Sequence, residues 1–86
     1  MNAIFFTTQG HKHNLIARNG TTLDELLKYY LRKMNRTEFI WSDKISFLFN
    51  GSQLEFGDQT TVETYFIPIS HPKIVINSHD VPYYGN

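Results

Sequence analysis

The chain has 86 residues, enough for one domain around a thin core, since a chain of this size buries only about 60–65% of its unfolded surface. Eight basic and eight acidic side chains give a formal net charge of zero, with no basic stripe, which excludes long-range steering to nucleic acid or to an acidic membrane. The absence of cysteine excludes disulfide scaffolds and cysteine-based zinc sites, and no run approaches the roughly 20 apolar residues of a membrane helix.

The first residues lack a basic segment followed by a sustained apolar one, so no signal peptide is expected. A reducing, cytoplasmic or nucleocytoplasmic setting is the matching expectation. Residues 2–8, NAIFFTT, are β-branched and aromatic and too short for a helix, and predict a strand. Gln9-Gly10-His11 predicts a turn, and residues 12–18, KHNLIAR, a second strand, so the chain opens on a hairpin. Asn19-Gly20 ends it, because both residues tolerate positive φ.

Thr22-Leu23-Asp24-Glu25 fits a capping box, in which hydroxyl and carboxylate satisfy free backbone donors. Leu23, Leu26, Leu27, Tyr30, Leu31 and Met34 then fall on one helical face, and the spacing predicts a helix over 22–35. Asp24 and Glu25 sit at its positive end, Arg32 and Lys33 at its negative end, and Asn35 stops it. Residues 36–43, RTEFIWSD, form a connector without a clear pattern. From Lys44 to Phe49 the pattern alternates, with Ile45, Phe47 and Phe49 facing one way and Lys44, Ser46 and Leu48 the other.

Asn50-Gly51 predicts a hairpin turn into a short strand, Gln53-Leu54-Glu55, broken by Gly57-Asp58. Residues 61–66 predict one helical turn opened by a Thr61 cap, and Pro68 and Pro72 bracket a loop. Residues 73–77, KIVIN, are the last strand, and SHDVPYYGN reads as a loose tail. The order predicts an α+β domain, a mixed sheet of four to five strands with one α-helix packed on one face.

The run "FLFNGSQLEFGDQTTVETYF" resembles the ubiquitin family, whose fold is the β-grasp. The likeness lies in an apolar strand (Phe47–Phe49), Gly51, Gln53-Leu54-Glu55, Gly57-Asp58, and Thr61-Val62 with Tyr65. Gly10 falls at the family's hairpin turn, and Thr22, Leu23, Leu26 and Tyr30 on the inner face of its helix. The connector before Lys44 is a few residues longer than usual. The resemblance covers residues 1–78, leaving 79–86 as the C-terminal tail.

It implies an inner sheet face of Ala3, Phe5, Leu15, Ala17, Ile45, Phe47, Ile74 and Ile76, meeting Leu23, Leu26, Leu27 and Tyr30 of the helix. The outer face then holds Ile4, Phe6, Ile16, Leu48 and Val75. Leu48 sits where ubiquitin-like domains place the centre of their binding patch, Val75 lies on the neighbouring strand, and Phe6 enlarges the patch. An exposed apolar cluster points to a partner. The alternative is that the tail, or Phe39-Ile40-Trp41, covers it.

Two departures bear on the family's chemistry. The chain ends Tyr83-Tyr84-Gly85-Asn86 without the Gly pair that conjugation uses, and Ser52 stands where ubiquitin carries a chain-forming lysine. Four histidines, His11, His13, His71 and His79, read as solvent-exposed turn residues, because no cysteine or fixed carboxylate completes a metal site. Ser46, Ser52, Ser70 and Ser78 lack a nucleophile elbow, the carboxylates lie singly, and no phosphate loop is present, so no enzyme and no cofactor is expected. Tyr30 reads as core, Tyr29 as outward-facing, Tyr83-Tyr84 as a docking element, and Trp41 as a lid over the core's open end.

The resulting expectation is a non-conjugated ubiquitin-like interaction module within a larger protein, monomeric in isolation. It would bind a protein partner, not nucleic acid or membrane, through Phe6, Leu48 and Val75 with Ile4 and Ile16. Two alternatives stand beside it: a covalent modifier processed to Gly85, and a structural subunit of a larger assembly.

Overall fold

The structure, a computed structural model, describes residues 1–7 and 10–78. Five strands make one mixed sheet: β1 (Asn2–Thr7), β2 (Lys12–Ile16), β3 (Ile45–Phe49), β4 (Ser52–Leu54) and β5 (Lys73–Ser78). Helix α1 (Leu23–Lys33) lies between β2 and β3 in sequence, and α2 (Val62–Tyr65) between β4 and β5. The strand order is β2-β1-β5-β3-β4. β1 and β5 are parallel, and the other pairs are antiparallel. Among the described residues no helix is long and apolar enough to cross a membrane.

The local rules operate as the residues suggest. Thr22 accepts the Glu25 N–H at 3.1 Å while the Glu25 carboxylate accepts the Thr22 N–H at 2.9 Å, closing the capping box. Helix α1 runs two residues shorter at its C-terminal end than 22–35, with Met34 as cap and Asn35 at φ 59°, the left-handed stop that asparagine tolerates. β2 ends at Ile16, two residues before the expected 18, and Ala17 instead exchanges hydrogen bonds with Met1. β4 is displaced by one residue from the expected 53–55. Thr61 precedes α2 in extended backbone, but its hydroxyl donates to Thr64 Oγ1 and caps no backbone donor. The connector forms a 3₁₀ turn at Thr37–Phe39.

Alternation along the strands sends Ala3, Phe5, Leu15, Ala17, Ile45, Phe47, Ile74 and Ile76 inward, where they join Leu23, Leu26, Leu27, Tyr30 and Leu31 in one core. Phe5 stacks on Tyr30 at 4.4 Å between ring centroids, and Phe47 meets both edge-on at 6.1 and 5.9 Å. Aromatic pairs of this kind add about 0.5–1.5 kcal/mol each beyond their burial, which lets a thin core hold a short chain. Phe66 is fully buried beside this core, edge-on to Phe49 at 4.9 Å.

The segment after β4 is tied to the start of α1 by polar groups. Gly57 N–H donates to Asp24 Oδ1 at 2.7 Å, and Lys28 Nζ lies 2.9 Å from Asp24 Oδ2. Gly20 N–H is shared by the two Glu63 oxygens at 2.9 and 3.0 Å. Leu23 N–H reaches Thr60 O, Val62 N–H reaches Thr21 O, and Thr22 and Thr61 form an antiparallel bridge. Burial pushes the Asp24 carboxyl up, but Lys28 and the Gly57 N–H outweigh it and hold it below the usual carboxylate range. The Thr60 and Gly20 backbone donors likewise lower Asp58 and Glu63.

Candidate functional site

The strand register decides which outward side chains meet. Phe6 on β1 stands opposite Val75 on β5, and Val75 opposite Leu48 on β3. The three form one row across the middle of the sheet, on the face away from α1, at the roughly 4.8 Å spacing of neighbouring strands. Lys12 extends the row beyond Phe6, and Gln53 extends it beyond Leu48. Val75 is 43% exposed, and Phe6 and Leu48 are half-buried. Ile4, also half-buried, lies one step along β1, between Asn14 and Lys73. Phe6, Val75, Leu48 and Ile4 are thus brought together.

Ile16 is not. It pairs with Asn2 on the far corner of the sheet, where Ile4 is only its diagonal neighbour. At 73% exposure it lines a separate groove between β2 and α1, of roughly 500 Å³, with Arg18, Glu25, Tyr29 and Arg32. The sequence placed Ile16 on the correct face, but lateral position depends on register, which a single strand does not reveal.

The paired outward positions carry Lys12 and Lys73 and no carboxylate. The chain is neutral overall, yet these paired positions carry net positive charge. The connector spends its apolar residues elsewhere: Phe39 and Ile40 pack against the core on the helix side. The alternative in which Phe39-Ile40-Trp41 covers the outer face therefore fails. Tyr83, Tyr84, Gly85, Asn86 and His79 lie outside the described residues, and with them the tail's role and the modifier alternative.

One histidine behaves differently from its sequence reading. His13 is not a solvent-exposed turn residue: it points inward from β2, edge-on to the Tyr30 ring at 6.0 Å, with a buried Nε2 that has no hydrogen-bond partner. The odd-position alternation Leu15, His13 was the signal available for this. His71 does fit the exposed reading, lying 2.9 Å from Ser70 Oγ through Nδ1. Among the described residues no three His, Asp or Glu side chains gather as a metal site.

Trp41 lies across Phe56, with ring centroids 5.7 Å apart, and against Gly57, where an added Cβ would stand 2.8 Å from the indole. It nonetheless stays 64% exposed, so it covers the core's end incompletely. Its φ of 67° is in the left-handed region, a conformation that costs a bulky residue about 1–2 kcal/mol. Trp41 and Phe56 wall a cleft of roughly 360 Å³ beside the start of β3 and the end of β4. No protein-family model matches the chain, and no curated protein matches it in sequence.

Proposed function

We propose that the chain is a ubiquitin-like, β-grasp interaction module, working as part of a larger protein in a cytoplasmic or nucleocytoplasmic compartment. It binds a protein partner through the row Phe6–Val75–Leu48, with Ile4 at its margin, and does so without conjugation or catalysis. The observation that carries the reading is the register: three apolar side chains from three adjacent strands lie side by side on the face that α1 leaves open. A mixed five-stranded sheet with one helix on one face is compatible with the family suggested by the sequence.

Apolar burial supplies the affinity, and Lys12 and Lys73 favour a partner whose apolar centre has an acidic margin. The isolated chain is then a monomer whose patch waits for that partner. The test is affinity capture with the wild-type chain and Leu48→Asp in parallel, each checked by circular dichroism. Loss of specific partners from a folded Leu48→Asp variant is the expected result. Identical captured sets from two folded proteins would remove the patch as the docking site.

A further inference from the structure

The cleft beside β4 has a chemistry unlike the outer sheet face. Its walls include two aromatic rings, Trp41 and Phe56, and a third, Phe47, stands edge-on to Phe56 at 6.0 Å. Its rim carries two exposed carboxylates, Asp43 and Glu55, with Ser42, Ser46 and Gln53 as further polar groups. None of its lining side chains is basic. β4 is the outermost strand, so the cleft is open along that edge of the sheet.

We propose that this cleft binds an arginine side chain presented by a peptide. Aromatic faces attract cations, and a guanidinium combines a stackable plane with a fork that suits carboxylates. The two carboxylates and the absence of a lining cation supply the charge complementarity. The indole already meets one cation: Lys28 Nζ lies 5.4 Å from the Trp41 ring centroid, its charge matched by Asp24 at 2.9 Å. The cleft volume exceeds a guanidinium and its stem, leaving room for bridging water. The cleft borders the outer row at Gln53, the partner of Leu48, but none of Phe6, Val75 and Leu48 lines it, and it does not depend on their role.

Trp41 is the chain's single tryptophan, so its emission reports the cleft directly. The experiment titrates the full chain with acetyl-Gly-Arg-Gly-amide and with its neutral citrulline counterpart, followed by Trp41 fluorescence and amide NMR shifts. The expected result is a saturable response to the arginine peptide at 41–46 and 53–56, half-complete at about 1 mM, the scale of a fragment with few contacting atoms. The citrulline peptide binds about tenfold more weakly, and Asp43→Asn with Glu55→Gln together reproduce that loss. Phe6→Ala, on β1 and three strands from β4, leaves the response unchanged, so failure here and failure of the docking patch are separable. Equal binding of the citrulline peptide, equal binding of a lysine peptide, or no saturable shift by about 20 mM would overturn the assignment. The two peptide comparisons use the unaltered protein, so they decide the matter even if a variant folds poorly.

Discussion

The two faces of the sheet come from the same alternating strands yet live under different rules. Phe5 and Phe6 are neighbours in the chain, as are Phe47 and Leu48. Phe5 and Phe47 are sealed beneath α1, at 0% and 1% exposure, and each touches two or more other rings. Phe6 and Leu48 flank Val75 on the opposite face and lie outside the core cluster. Inner side chains are therefore fixed by packing, whereas outer ones keep apolar surface that packing does not require. That surplus is the reason to look for a partner on one side and for stability on the other.

The contrast can be broken most directly by paired substitutions. Phe47→Ala should cost about 3–5 kcal/mol, because it removes a ring from a closed aromatic cluster and leaves a cavity. Leu48→Ala, one residue on, should cost about 1 kcal/mol or less. Urea unfolding of both variants checks this, and equal losses would mean that the outer face is as tightly packed as the inner. Next in size is the polar tie between α1 and the segment after β4. Asp24→Asn removes the charge opposite Lys28 and weakens the bond from Gly57, and should cost about 1–2 kcal/mol.

The smallest effect is acid loosening of that same junction. Asp24, Asp58 and Glu63 all have folded values below their unfolded ones. Their contribution is whole above the unfolded carboxylate values near pH 4 and is lost as pH falls through the lower folded values. The contribution of this junction should therefore hold above about pH 5 and decline below about pH 4. Thermal melts across that range, with hydrogen exchange at Gly20, Gly57 and Thr60, would show whether the junction opens before the core. Uniform loosening of core and junction amides would contradict it.

Most of the architecture was legible because its signals are local. The capping box, the apolar stripe from Leu23 to Leu31 and the strand alternations each span a few residues, and each appears where those residues put it. The arrangement of sites was less legible because it depends on partners far along the chain. Asp24 reads as a helix-start charge, yet its carboxylate reaches Gly57, 33 residues away; Glu63 reaches back 43 residues to Gly20. Ile16 has the right face but the wrong corner. Trp41 and Glu55 share a cleft only because the connector returns beside β4, a path that residues 36–43 do not announce.

The pairing of β5 has a consequence for the order of folding. Among the described strands this one alone joins the hairpin β1–β2 to the hairpin β3–β4, yet it is the last of the five to leave the ribosome. A nascent chain that has emerged only through α2 holds two ribbons with a gap between them and an aromatic cluster lacking Ile74 and Ile76. Commitment to the native sheet arrives with residues 73–78, so a chain stalled before them exposes two sticky strand edges to whatever chaperone or neighbour is nearby.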